Sequence, residues 1–150
     1  PEGALADYAR AMEIAPGFPI PYFNRGRLHQ RKENWEAAME DYTRAIERYP
    51  AFAAAYINRG NVRCSKGDLT GAIDEYTTAI GLTPDDPDGY YNRAQAQAKL
   101  ARRDPANTGP LLRAAISDYE QALIIGGKGW VQRERTEMEL AQVRRLLEMK

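Results

Sequence analysis

A repeat of 34 residues is the feature that most constrains this sequence. Its clearest copy runs from Ala53 to Asp86, and the same residue types stand 34 positions earlier. The matched positions are Tyr22 and Tyr56, Asn24 and Asn58, Arg25 and Arg59, Gly26 and Gly60, Ala38 and Ala72, Tyr42 and Tyr76, Ala45 and Ala79, and Pro50 and Pro84. A fixed period of this length indicates stacked supersecondary units that each contact their neighbours.

The period continues in both directions from this copy. Residues upstream repeat the second half of the unit, and Tyr90, Asn92 and Arg93 repeat the first half downstream. The second half then resumes nine residues late, at Ala115. We therefore predict half a repeat at 2–16, repeats at 19–52 and 53–86, and a third at 87–125 with an insertion near 101–110.

Apolar residues at helical spacing predict helices throughout, separated by proline, glycine and asparagine. Asn34 and Asp68 are the predicted N-caps of two second helices. In the third repeat we predict that the first helix runs on to Arg102 or Arg103 and that Pro110 lies in the first turn of the next helix. The turn-rich segment 104–110 falls between these two helices, where it can bulge from one edge. Residues 129–150 predict a final helix without the repeat pattern, whose apolar stripe would cap the solenoid. Because Pro1 opens the chain in mid-repeat, we expect an N-terminal part, with any targeting segment, to be missing.

This pattern resembles the tetratricopeptide repeat family. The period, the aromatic-then-small first helix, the Ala-x-x-x-Tyr-x-x-Ala second helix and the closing proline agree over about residues 2–125. The resemblance implies an all-α, right-handed superhelix of antiparallel helix pairs that acts as a non-enzymatic protein-interaction scaffold. Arginine stands where the family usually has leucine, at Arg25, Arg59 and Arg93, and Ala94 replaces the glycine of the third copy.

Composition argues against several other functions. Lys+Arg and Asp+Glu both number 21, which removes the long-range attraction typical of a nucleic-acid or membrane-surface binder. No apolar run has the length of a membrane span, so we expect a soluble protein, with the cytoplasm favoured. His29 is the only histidine and Cys64 the only cysteine, so the chain cannot supply a multi-histidine metal site. We expect no catalytic residue, metal or cofactor.

The recurring arginines face recurring acids. Asp7, Asp41, Glu75 and Asp118 recur at one phase of the second helices. Since a guanidinium binds carboxylates bidentately, we predict that Arg59 contacts Asp41, Glu75 or both, and that Arg25 and Arg93 do likewise. The alternative is that these arginines hold an acidic ligand.

The resemblance also implies that the first helices line a concave face. Family members with asparagine at the phase of Asn24, Asn58 and Asn92, the O-linked N-acetylglucosamine transferases among them, hold the backbone of an extended peptide with it. A primary amide donates and accepts, which suits a peptide group of either orientation. We predict a peptide-binding set with Phe23 and Tyr91 as apolar anchors. It comprises Phe23, Asn24, Arg27, Arg31, Ile57, Asn58, Asn61, Tyr91, Asn92, Gln95 and Lys99, with Gln30 and Cys64 at the same phase. The alternative is that the asparagines only solvate the helices.

Two further expectations concern the partner. The family's chaperone-tail binders use a carboxylate clamp, but Phe23, Asp88 and Asn92 occupy three of its basic positions, which disfavours a C-terminal chaperone tail. The half repeat at the N-terminus favours an alternative, a self-assembling or spacer segment that forms a homo-oligomer there. A regulatory segment of a larger enzyme is a third reading.

Overall fold

The computed structural model describes residues 2–149, which form eight helices and no strand. They are α1 (Glu2–Ile14), α2 (Pro19–Arg31), α3 (Trp35–Arg48), α4 (Ala53–Ser65), α5 (Leu69–Leu82), α6 (Pro87–Arg103), α7 (Thr108–Gly126) and α8 (Arg133–Glu148). Pro1, and Lys150 at the expected end of the final helix, lie outside the described residues.

The helices pack in chain order. The pairs α2–α3, α4–α5 and α6–α7 form the main contacts, and each pair packs on the next through its second helix. α1 precedes the first pair, and α8 packs on α7. This arrangement confirms the predicted all-α solenoid of antiparallel helix pairs.

Each pair is closed by a tyrosine of the second helix lying on a small residue of the first. A Cβ added to Gly26 would stand 2.8 Å from the ring of Tyr42, and one added to Gly60 would stand 2.7 Å from the ring of Tyr76. Both rings are buried. The recurrence of glycine within a helix, where it costs about 1 kcal/mol relative to alanine, is therefore explained by close packing.

The insertion in the third repeat lengthens both of its helices. α6 and α7 have 17 and 19 residues, whereas α4 and α5 have 13 and 14. α6 ends at Arg103 and Pro110 lies in the first turn of α7, so both predictions are confirmed. The connection, 104–107, is shorter than the turn-rich segment 104–110, because α7 already begins at Thr108, whose hydroxyl donates to the carbonyl of Ala101 at 3.0 Å.

The two predicted N-caps differ. Asp68 accepts a hydrogen bond from the backbone N–H of Gly71 at 2.9 Å, as expected of a cap. Asn34 precedes α3 but makes no side-chain capping bond, so that prediction was wrong. The turn there is closed by the backbone N–H of Asn34, which donates to the carbonyl of His29 at 2.9 Å.

α8 covers the end of the solenoid, as predicted. Thr136, Leu140 and Val143 are buried, and Leu147 packs against the same core. Trp130 lies before the helix, in the connection from α7, where its indole N–H donates to Asp88 at 3.0 Å. Its ring meets Tyr91 edge-on at a centroid distance of 5.8 Å.

Candidate peptide-binding groove

The three recurring arginines are structural. Arg25 binds Asp41 through two hydrogen bonds of 2.8 and 2.6 Å. Arg59 binds Glu75 in the same way at 2.9 and 3.0 Å, and Arg93 binds the buried Asp118 at 2.7 and 2.8 Å. The predicted ion pairs within each repeat are confirmed, and the alternative, that these arginines hold a ligand, is not supported.

Two of these arginines, Arg59 and Arg93, are linked to the preceding repeat by threonines and not by acids. Arg59 donates to the Thr43 hydroxyl and Arg93 to the Thr77 hydroxyl, both at 3.0 Å. Each threonine lies two positions after the recurring acid, so the signal Asp41-x-Thr43 and Glu75-x-Thr77 is present in the sequence. The sequence analysis missed it by considering charged partners alone.

We call the surface formed by α2, α4, α6 and α8 the first-helix groove. Because the three recurring arginines are paired within the protein, other polar side chains of this groove are the ones available to a ligand. Asn24, Asn58 and Asn92 stand at one phase of α2, α4 and α6 and are half-exposed, and Asn58 lines a depression of this surface. The Asn58 amide lies beside the hydroxyl of Tyr42, which donates to Gln30 at 2.6 Å. Burial of this tyrosine raises its pKa well above the ordinary range, with Arg27 opposing the shift, so the hydroxyl remains a donor.

A first depression in the groove lies between α2 and α4. It has a volume of about 290 Å³ and is lined by Arg27, Gln30, Arg31, Trp35, Asn58 and Ser65. Arg27 and Arg31 are exposed and form no salt bridge with any described residue. Trp35 and Ser65, at the ends of neighbouring helices, were not in the predicted set because their positions depend on how the pairs stack.

A second depression, of about 280 Å³, lies between α6 and α8. Its polar lining combines the predicted Gln95 and Lys99 with Arg102, Arg135, Glu139 and Gln142. Lys99 and Arg102 are exposed and also lack an acidic partner within residues 2–149. The contribution of α8 could not be predicted, because this helix lies outside the repeat pattern.

Glu139 of α8 organises this second depression. It accepts hydrogen bonds from Tyr119 at 2.8 Å, Gln95 at 3.0 Å and Arg135 at 2.9 Å. Burial, with the nearby Glu139 carboxylate, raises the pKa of Tyr91 to about 12. The carboxylate is therefore fully engaged by the protein, which leaves Lys99 and Arg102 as the cations available to a ligand.

Four predicted site residues lie elsewhere or are already engaged. Tyr91 is only 3% exposed, because Trp130 and α8 cover it, so it is not an apolar anchor. Phe23 is half-buried and packs on Phe52 at a centroid distance of 4.7 Å. Ile57 packs against the core around Tyr76, and Asn61 accepts the hydroxyl proton of that tyrosine at 2.7 Å.

Comparison with known families agrees with this architecture. A model described as "Tetratricopeptide repeat" matches residues 19–52, and a model described as "TPR repeat" matches residues 60–100.

The chain belongs to the tetratricopeptide repeat family.

Solved tetratricopeptide repeat domains have the same fold. The first such domain of Spaghetti (RPAP3), bound to the HSP90 peptide SRMEEVD, is 18% identical, with 87% of this chain and 93% of that chain covered and a TM-score of 0.74. The TPR2B domain of yeast Sti1 in its pHsp70 complex is 18% identical, with 85% of this chain and 97% of that chain covered and a TM-score of 0.75. The Arabidopsis OM64 TPR domain is 20% identical, with 85% of this chain and 94% of that chain covered and a TM-score of 0.71. At this identity the similarity shows the fold. A search of curated proteins gives no match.

The family and fold support a general role in protein interaction. Among the described residues, no cluster of His, Cys, Asp or Glu could hold a metal ion. None of the helices within 2–149 combines the length and apolar character that crossing a bilayer demands.

Proposed function

We propose that this tetratricopeptide repeat domain binds an extended acidic segment of a partner protein along the first-helix groove. The observation that carries the proposal is the division of its cations into two groups. Arg25, Arg59 and Arg93 are neutralised by buried carboxylates. The exposed groove cations Arg27, Arg31, Lys99 and Arg102 have no acidic partner in the described part of the chain.

The asparagines supply the second part of the recognition. One half-exposed amide per repeat, at Asn24, Asn58 and Asn92, matches the repeating peptide groups of an extended ligand. Such hydrogen bonds hold a backbone without demanding a particular sequence. The flanking cations then favour acidic side chains over basic ones.

The local structure supports side-chain recognition instead of a clamp for a terminal carboxylate. Asp88, at one of the clamp's basic positions, accepts hydrogen bonds from Trp130 at 3.0 Å and Gln132 at 3.3 Å. It is a structural acid that would repel a carboxylate. Phe23, at another clamp position, packs on Phe52.

A titration with three peptides tests the proposal. The probes are SRMEEVD, the same peptide with a C-terminal amide, and SRMQQVN, in which neutral amides replace the three acidic side chains. Each titration is followed by the backbone amide chemical shifts of the protein. We expect SRMEEVD to shift residues of α2, α4 and α6, the amidated peptide to bind with similar affinity, and SRMQQVN to bind at least several-fold more weakly. Binding should weaken with added salt, because exposed charges are screened.

A double variant tests whether the acidic peptide binds at the exposed arginines of α2. Replacing Arg27 and Arg31 by alanine should weaken binding of SRMEEVD, whereas Arg113→Ala, which removes an exposed arginine of α7 outside the groove, should not. Loss of binding on C-terminal amidation would indicate a terminal clamp instead. Equal binding of SRMQQVN, or no shifts with millimolar SRMEEVD, would contradict recognition of acidic side chains.

A further inference from the structure

The capping helix lies in the register of a first helix. In α4 and α6 the buried residues Ala55 and Val62, and Gly89 and Ala96, stand seven positions apart, and Thr136 and Val143 repeat this spacing in α8. This alignment places Ala141 of α8 where Gly60 and Ala94 stand in the preceding first helices. It also places Glu139 against Tyr119, as Asn58 lies beside Tyr42.

The outer side of α8 is consequently an unfilled packing surface. In each repeat, the small residue at this position receives a tyrosine from the second helix, as Gly26 receives Tyr42. Around Ala141 the surface is instead an open depression lined by Glu134, Glu137, Met138, Ala141 and Arg145. Met138 is 67% exposed.

α1 presents the complementary surface at the other end of the solenoid. Its Ala4, Asp7 and Tyr8 stand in register with Ala38, Asp41 and Tyr42. The α3 residues are buried, but Ala4 and Tyr8 are half-exposed and Asp7 is exposed. Within the described chain no first helix packs on this face of α1.

Phe18 extends the exposed face. It is 64% exposed, and its counterpart Phe52, 34 positions later, packs on Phe23. With Ile14 and Ile20, which are also exposed, it forms a patch that is almost wholly apolar.

We propose that copies of this chain associate head to tail, with α8 of one copy serving as the first helix for α1 of the next. The contacts follow from those inside the solenoid. Tyr8 would lie on Ala141 of the neighbouring copy, as Tyr42 lies on Gly26. Phe18 would meet Met138, as Phe52 meets Phe23.

The charges at the two ends agree with this pairing. Asp7 is in register with Glu75, and Arg144 is in register with Arg63, which contacts Glu75 at 3.1 Å. Arg144 bonds Glu120 of α7 within the chain, and Asp7 of the next copy would be its second carboxylate, as Arg63 contacts both Asp68 and Glu75. The contact joins two different surfaces, so it leads to open chains of copies instead of closed dimers. The first-helix groove stays accessible and continues across each junction.

Two variants that block opposite ends test this assembly. Ala141→Arg fills the depression on α8 with a long charged side chain, and Phe18→Asp places a charge in the patch beside α1. Both positions face outward, so circular dichroism should show an unchanged helical content. Gln121→Arg, an exposed position on α7, is the matched control for added charge.

Light scattering after size exclusion gives the readout, from micromolar to millimolar protein. We expect the unmodified chain and Gln121→Arg to increase in mass beyond a dimer with concentration, and each end-blocked variant to remain a monomer alone. Mixed together, Ala141→Arg and Phe18→Asp should form a 1:1 dimer, since each retains the end that the other has lost. An unmodified chain that stays monomeric, or an Ala141→Arg variant that still dimerises through α1, would overturn the proposal.

Discussion

Arginine has two roles in this chain, and the difference depends on which carboxylates its helix position can reach. Arg25 and Arg59 bind the buried Asp41 and Glu75 bidentately. Arg27 and Arg31 form no salt bridge with any described residue, and they remain exposed in the first-helix groove. A net charge of zero thus conceals a groove that is locally basic.

Replacing Glu75 by alanine should be strongly destabilising. Glu75 accepts hydrogen bonds from Arg59 and Arg63 and is largely buried, and breaking a buried pair costs about 3–5 kcal/mol because the remaining charge is uncompensated. Chemical denaturation measures the free energy of unfolding. The control Glu40→Ala removes the exposed partner of Arg44 and should change it by less than about 1 kcal/mol. Equal losses would show that burial of the Arg59 pair contributes nothing extra.

Because four tyrosines are buried, we expect the protein to unfold at alkaline pH. Burial is the main cause of the raised pKa of Tyr42, Tyr76, Tyr91 and Tyr119. Because the folded state favours the neutral phenol, its stabilising contribution is complete below the ordinary pKa of about 10 and is lost as pH rises through the folded-state pKa. Phenolate absorbance should therefore show a delayed phase that coincides with the loss of helical circular dichroism. Ionisation of all nine tyrosines before any loss of helix would contradict this.

At this scale the sequence predicted the ion pairs, because both charges recur at fixed phases. It did not predict the burial of Tyr91, which is covered by a helix outside the repeat pattern. Recurrence identifies which positions are equivalent, but the exposure of a position depends on what packs over it at the end of the stack.

Among the elements, the first and second helices of a repeat are fitted to each other through one small residue. The tyrosines of α3 and α5 lie on glycines, and the tyrosine of α7 lies opposite Ala94 in a longer pair. The periodic pattern predicted these elements well, since each helix has its own apolar face. It also predicted that α6 runs on to Arg103 and that Pro110 lies in the first turn of α7. It did not predict that α7 begins at Thr108, because that start depends on the Thr108 hydroxyl bonding the Ala101 carbonyl.

Gly60→Ala should destabilise the domain even though alanine is the better helix former. The new methyl group would stand 2.7 Å from the ring of Tyr76, and overpacking of this kind costs about 1–3 kcal/mol. Gly81→Ala is the matched control, since its Cβ would meet nothing within 4 Å and should raise stability by up to about 1 kcal/mol. Thermal unfolding of both variants measures the difference. A stabilised Gly60→Ala variant would show that the two helices separate without cost.

Across the whole molecule, the 34-residue period puts one half-exposed asparagine on each of α2, α4 and α6. Asn24, Asn58 and Asn92 follow from the period alone, and their role in binding stays a prediction. Trp35, Arg102 and Gln142 join the same depressions from the ends of other helices. Their contribution depends on the angle at which neighbouring pairs stack, which a repeat pattern does not specify.

Replacing the three asparagines by alanine should weaken binding of SRMEEVD while the fold persists. Each lost hydrogen bond costs about 0.5–1.5 kcal/mol, so the combined effect should be about 10- to 1000-fold if the losses add. The exposed substitution Gln121→Ala on α7 is the control, and circular dichroism checks the fold. Unchanged affinity in a folded triple variant would place the binding surface outside the asparagine line.

The packing of helices in chain order also has a kinetic consequence. Each helix contacts mainly its neighbours in sequence, so no distant segment must be found before a pair becomes stable, and low contact order favours rapid folding. During synthesis, α2 and α3 can associate before α8 has been made. Growth of the solenoid can thus follow the direction of translation, with each new helix covering the core that the preceding helix leaves exposed and α8 covering that of α7.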